Sequence, residues 1–185
     1  MHKFYSAFGV LTASFANMEA DVRTLISGIA FKGEAVVASA FMDRSQLSEN
    51  LGILKKLGRQ YWDAHSLFES VESRIQKIKE VRNLFIHGIW SPKTFGQLNG
   101  FASVTDLHTN YAPTETIRSW THDQTSEYTL AQFQEILDEV NGIIAQIGEL
   151  RLWLEKKEGI EFGFGGITGI SKPVRINIDG NENSD

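Results

Sequence analysis

Three polar residues near the end of a predicted helix, Arg82, Asn83 and His87, have side chains suited to phosphate chemistry. A histidine accepts and donates protons near neutral pH, and the dipole at the carboxyl end of a helix favours its protonated form. An arginine stabilises the negative charge that develops on a phosphoryl group. Asn83 precedes His87 by one turn, so these two side chains share a helix face. The three residues are therefore candidate catalytic groups, and their chemistry requires no metal ion.

The helix that carries these residues is predicted from about residue 64 to residue 88. Its apolar residues recur in steps of three and four, at Val71, Ile75, Ile78, Phe85 and Ile89. Arg82 falls within this apolar series, so it occupies a position that faces the core. A guanidinium stays charged when it is buried and needs an anion opposite it. Two interpretations remain open: Arg82 faces a ligand in a cleft, or it pairs with Glu19 or another inward carboxylate while His87 caps the helix end.

Two long helices are predicted, one at each end of the chain, because apolar residues repeat at the same spacing there. The first series is Phe4, Phe8, Leu11, Phe15, Met18, Val22, Leu25 and Ile29. The last series is Phe133, Ile136, Val140, Ile143, Ile147, Leu150 and Leu154. The segment Thr129-Leu130-Ala131-Gln132 resembles a capping box at the start of the last helix. The matched series indicate helix-on-helix packing, either within a bundle or across a dimer.

A shorter helix is predicted between these, starting at or just after the capping candidates Asp43 and Ser45. Gly52 and Gly58 weaken it. Its inward residues are Leu47, Leu51, Leu54, Leu57 and Tyr61.

The helical period disappears between about residues 91 and 128. Asn99-Gly100 lies there between the short segments Phe95–Leu98 and Phe101–Val104, a pattern typical of a tight β-hairpin. Pro92 and Gly88 provide the stop for the preceding helix. Beyond Gly159 the sequence is rich in glycine and then polar, which is typical of a flexible linker. We therefore predict a bundle at residues 1–160, with an insertion at about 91–128, followed by a tail at 161–185.

The composition excludes some classes of protein. The chain has no cysteine, so it has no disulfide framework and no thiolate site. No run approaches the roughly 20 apolar residues of a membrane span, and the spacing of the N-terminal apolar residues is that of a helix face rather than a signal peptide. A cytoplasmic protein is expected. The net charge of −5 opposes nonspecific binding of nucleic acid, although residues 51–90 carry seven basic and four acidic residues. This local excess also fits ordinary solvated helix faces.

The string Arg82-Asn83-Leu84-Phe85-Ile86-His87 resembles the Arg-x4-His motif of HEPN domains, in which a polar residue often follows the arginine. The string Glu19-Ala20-Asp21-Val22-Arg23 resembles the Glu-x3-Lys/Arg element that some members carry in the first helix. The layout is similar over about residues 4–158. The resemblance implies an all-α, HEPN-like up-and-down bundle of four to five helices, with a small β-hairpin insertion between the third and last long helices.

The resemblance further implies a metal-independent endoribonuclease that needs no cofactor and acts as a dimer with one composite cleft. His87 would act as general acid or base, Arg82 would stabilise the transition-state phosphate, and Asn83 would orient either group. The products would carry 2′,3′-cyclic phosphates. The candidate substrate-binding residues are Glu19, Arg23, Lys79 and Trp90, and the expected partners are RNA, a second copy and an antitoxin or sensor protein.

Such proteins are often toxins or antiviral defence effectors. This chain departs from many toxin members, because Ile89 stands where they have a tyrosine. Glu19 and Arg23 also fit an ordinary surface ion pair. The alternatives are a non-catalytic HEPN-like module for oligomerisation or partner binding, nucleotide binding without cleavage, and a chance match.

Overall fold

The computed structural model describes residues 2–31, 34–42, 45–87, 89–93, 101–110 and 119–162. The helices in this part of the chain are α1 (His2–Phe31), α2 (Ala35–Met42), α3 (Leu47–Gly58), α4 (His65–His87) and α5 (Leu130–Glu158). The strands are β1 (Ile89–Lys93), β2 (Phe101–Asn110) and β3 (Ser119–Thr129). The prediction of a mainly helical protein is confirmed. No helix among these residues is both long enough and apolar enough to cross a bilayer.

The first and last helices pack side by side and run in the same direction. The rings of Phe4 and Phe133 lie 5.9 Å apart near their N-terminal ends, and Arg151 approaches Asp21 at 3.6 Å further along. The predicted apolar series of α1 is fully buried from Leu11 to Leu25, and the predicted series of α5 is buried apart from the partly buried Ile136. The bundle therefore closes along the predicted seams.

Phe85 holds the C-terminal end of α4 in this core. It has no exposed surface. Among the described residues, its ring contacts those of Phe8, Phe15, Tyr128 and Phe133 at centroid distances of 5.0 to 6.4 Å. Because these rings come from α1, β3 and α5, Phe85 fixes the last turns of α4 against three other segments. Those turns carry the candidate catalytic residues.

The region between α1 and α4 differs from the prediction. The sequence pattern missed α2 altogether. The N-cap of α3 is Gln46 rather than Asp43 or Ser45, since the carboxylate of Glu49 accepts a hydrogen bond from the Gln46 backbone at 3.0 Å. α3 ends at Gly58, which lies so close to α4 that a Cβ there would be 2.6 Å from Cβ of Phe68. The chain then enters α4 through a 3₁₀ turn at Trp62–Ala64.

Between α4 and α5 the backbone forms an antiparallel sheet of order β1-β2-β3, with an irregularity between Asp106 and Leu107. The described part of the insertion therefore contains one strand more than the predicted two-stranded hairpin. Pro92 lies in β1, after α4 has already ended, so it is not the helix stop. The predicted strand at Phe95–Leu98 and the Asn99-Gly100 turn lie outside the described residues, as does the tail from residue 163.

The start of α5 was predicted correctly. Thr129 is both the last residue of β3 and the N-cap of α5. Its hydroxyl accepts from the Gln132 backbone at 3.2 Å, and the Gln132 side chain accepts from the Thr129 backbone at 2.8 Å. This reciprocal pair is the predicted capping box.

Candidate functional site

Arg82 projects from α4 onto a carboxylate of α1. Its Nε and Nη2 atoms lie 2.7 and 2.6 Å from Oε1 of Glu19, and only 20% and 12% of the two side chains is exposed. The sequence places Arg82 in the apolar series of α4, and the structure confirms that it points toward the bundle. The ion pair between Arg82 and Glu19, one of the two interpretations of the sequence, is therefore present in the structure.

Glu19 also faces a second guanidinium. Nη2 of Arg23 lies 4.0 Å from the other carboxylate oxygen of Glu19 and donates to the Ser45 carbonyl oxygen at 3.3 Å. Nε of Arg23 is buried and has no hydrogen-bond partner among the described residues. Glu19 and Arg23 thus form the ion pair that their spacing allows, with Arg23 partly exposed and Glu19 largely buried between two cations.

Asn83 and His87 lie on the solvent side of the same helix. Both residues are exposed, and Oδ1 of Asn83 accepts a hydrogen bond from Nη1 of Arg82 at 2.9 Å. A helix turns by about 100° per residue, so Arg82 and His87 point about 140° apart around the axis of α4. Asn83 lies between them. The structure thus joins Arg82 to Asn83 but does not bring Arg82 and His87 of one chain onto a common point.

The surface around this cluster has an excess of positive charge. Arg23, Lys79 and Arg82 are partly exposed, against two carboxylates, of which that of Glu19 is largely buried. Glu80 is an exposed acidic residue one turn before Asn83. A net positive surface of this kind favours an anion such as a phosphate. The side chain of Trp90, the remaining substrate-binding candidate, lies outside the described residues.

A second polar cluster, which the sequence did not reveal, fixes α4 against α5. Arg74 donates from Nε and Nη2 to the two carboxylate oxygens of Glu139 at 2.8 and 2.9 Å, and from Nη1 to Gln146 at 3.1 Å. The Gln146 amide donates in turn to the Ser70 hydroxyl at 2.7 Å. Two-point contacts of this kind restrain the rotation of one helix against another.

The pKa values of this second cluster follow from its contacts. The hydrogen bonds from Arg74 lower the pKa of Glu139 from its ordinary value, and the bond with Glu139 raises the pKa of Arg74. Gly142 permits the arrangement, because a Cβ at that position would lie 2.6 Å from Nη2 of Arg74. In the sequence, Gly142 marks a position where a side chain is excluded. A glycine inside a helix does not show which residue packs against it.

The described part of the chain is a helical bundle that carries an antiparallel sheet between its last two helices and a charged cluster between α1 and α4. The sequence matches no protein-family model and no curated protein, and the structure matches no solved structure. Within the described residues, no three His, Asp or Glu side chains are grouped as metal ligands would be.

Proposed function

We propose that the protein is a metal-independent endoribonuclease of the HEPN type, which acts as a dimer with a composite cleft. One observation carries the proposal: the hydrogen-bonded series Glu19, Arg82 and Asn83 leads from the buried side of α4 to its exposed side, where His87 lies one turn further on. An arginine held in place and an exposed histidine, brought together from two chains, are the groups that phosphoryl transfer to a ribose hydroxyl uses.

The dimer is part of the proposal for a geometric reason. Since Arg82 and His87 of one chain point about 140° apart, a single chain does not surround a phosphate with both groups. Two copies of α4 that face each other contribute two sets of Arg82, Asn83 and His87 to one cleft. The toxin or defence role, an antitoxin or sensor partner and a cytoplasmic location belong to the same proposal.

The test is incubation of the full chain with total RNA in EDTA, comparing the wild type with His87→Ala and Asn83→Ala. Both residues are exposed, so these variants leave the core intact. Loss of a general acid or base lowers the rate by about 100-fold or more. Gln76→Ala is the matched control, because Gln76 is exposed on nearly the same side of α4 as His87, three turns earlier.

We expect cleavage by the wild type and Gln76→Ala, products with 2′,3′-cyclic phosphate ends, and loss of cleavage in His87→Ala. Equal RNA survival with every variant, on a broad set of RNAs, would sink the ribonuclease proposal. Light scattering measures the oligomeric state in the same samples. A monomer that cleaves RNA would rule out the composite cleft while leaving the chemistry in place.

One observation favours a second candidate, a non-catalytic helical module for oligomerisation or partner binding. All three side-chain nitrogens of Arg82 already have partners within the chain, namely Glu19 and Asn83. An arginine so engaged acts first as a structural tie between α1 and α4. This candidate predicts that Arg82→Ala lowers stability or assembly. It also predicts that His87→Ala changes neither stability, nor assembly, nor the survival of RNA. Thermal-shift measurements with nucleotides test binding without cleavage.

A further inference from the structure

An apolar pocket opens at the end of the bundle where α1 finishes. Its volume is about 470 Å³, and α1, α2 and α3 all contribute to its walls. The lining side chains are mostly apolar and include Ile26, Ala30, Phe31, Phe41 and Ile53. Glu49 also lines it, but its carboxylate is engaged with the backbone of Gln46. The pocket is therefore suited to an uncharged, apolar occupant.

The helix α2 makes this corner of the molecule unusually apolar. Its sequence, Ala35 to Met42, contains no charged residue. Even so, Phe41 is 70% exposed and Val37 is 39% exposed. A helix that is apolar on every side is normally covered on every side. Among the described residues, part of the cover that this composition requires is thus missing from the outer surface of α2 and from the adjoining pocket.

The chain leaves α5 toward this same end. Gly159 adopts a left-handed conformation, with φ of 63°, and turns the backbone out of the helix. Phe162 then lies against Gly28 of α1, where a Cβ would come within 2.3 Å of its ring. The guanidinium of Arg151 lies 5.2 Å from the centre of the Phe162 ring. Phe162 is therefore anchored on α1, two residues from the pocket-lining positions Ile26 and Ala30.

The residues that follow Phe162 have the length and chemistry that the pocket requires. Residues 163–171 carry no charge and include Phe164, Ile167 and Ile170. Ile167 lies five residues beyond Phe162, a reach of about 16 Å in an extended chain. The diameter of a helix is about 10 Å, so the segment can pass around α1 to the pocket.

We propose that the segment Ile167–Ile170 of the same chain binds in this pocket and covers Phe41. The segment belongs to the same chain as the pocket, and Phe162 holds its start close by. Both features raise the effective concentration of the segment at the pocket. The segment completes the apolar layer between α1, α2 and α3. The proposal does not depend on the ribonuclease activity.

The test uses disulfide cross-linking in the full chain, because the sequence has no cysteine. Thr168→Cys is combined with Ala30→Cys, an exposed residue of the pocket wall. The matched control combines Thr168→Cys with Ala20→Cys, which is exposed on the same helix within reach of the segment but away from the pocket. We expect an intramolecular cross-link that forms several-fold faster with Ala30→Cys.

Two further variants identify the cause. Ile167→Asp with Ile170→Asp should slow the cross-link, whereas Ile176→Asp with Ile178→Asp should leave it unchanged. Gly28→Ala should also slow it, since the new Cβ displaces the Phe162 anchor. Equal rates with Ala20→Cys and Ala30→Cys would overturn the proposal. Cross-links that are mainly between chains and depend on concentration would overturn it too, and would identify a second copy as the occupant.

Discussion

Two nitrogen atoms of Arg82, on α4, reach the same carboxylate oxygen of Glu19, on α1, at 2.7 and 2.6 Å. Both side chains are largely buried. Removal of one partner therefore leaves the other charge without its counterpart in a poorly solvated place. This relationship makes the pair measurable through stability, independently of any RNA substrate.

Arg82→Ala should lower the free energy of unfolding by about 2 kcal/mol, because it leaves the buried carboxylate of Glu19 with only the more distant guanidinium of Arg23 opposite it. Glu19→Ala with Arg82→Ala should lose less than the sum of the single changes. Urea unfolding of the wild type, both single variants and the double variant gives the coupling energy. Arg23→Ala is the comparison, and its more exposed and longer 4.0 Å contact should contribute less. Strictly additive losses would contradict the direct coupling.

The two glycines inside α5 should respond differently to alanine. Gly148→Ala should raise stability by about 0.5–1 kcal/mol, since its Cβ would meet nothing within 4 Å. Gly142→Ala should fall about 1 kcal/mol below Gly148→Ala, because its Cβ displaces the guanidinium of Arg74. Thermal unfolding of both variants tests this difference. In an Arg74→Ala background the two substitutions should become equivalent, and a persistent difference there would refute the explanation.

Acid should weaken the tie between α4 and α5. Arg74 lowers the pKa of Glu139 below its ordinary value of 4.5, so the unfolded chain binds a proton more readily at this position than the folded chain does. The stabilisation by Glu139 is complete at a pH above its ordinary pKa, and it is lost as the pH falls through its lowered pKa in the folded chain. Urea unfolding from neutral pH down to about pH 3 should show a shallower dependence for Glu139→Gln. Glu135→Gln, one turn earlier and exposed, should behave like the wild type.

Phe85 should be among the most sensitive positions in the core. Phe85→Ala removes a ring with no exposed surface that packs against the rings of α1, β3 and α5, and should cost about 3–5 kcal/mol. Tyr5→Ala removes an aromatic ring of similar size that is 61% exposed, and should cost far less. Urea unfolding compares the two. Similar losses would mean that the ring cluster does not hold α4 in place.

The apolar seams of α1, α4 and α5 could be predicted because a residue every three or four positions leaves one helix face to bury. The same reasoning placed Arg82 toward the core. It failed at α2, where Ala35 to Met42 are nearly all apolar, so no polar residue marks an outer face. It also misplaced the N-cap of α3, because Glu49 supplies the capping group from inside the helix.

At the site, the sequence did not predict which residues from distant parts of the chain are in contact. The arginine was found because it interrupts a pattern on its own helix, but its partner could not be chosen from the sequence. Glu19 was one inward carboxylate among several, and Arg74 and Glu139 are 65 residues apart. Helical spacing relates residues within one element only. Which charges meet depends on the rotation of each helix in the bundle.

The side-by-side packing of α1 and α5 has a consequence for how the chain folds. Phe4 meets Phe133, and Asp21 meets Arg151, so the residues in contact are separated by most of the sequence. Closing such a long loop is unfavourable until the contacts on both sides can form, and a high share of non-local contacts slows folding. During synthesis, the apolar face of α1 leaves the ribosome long before α5. Phe4 and the other residues of α1 that pack on α5 therefore lack these contacts until the last helix has been made.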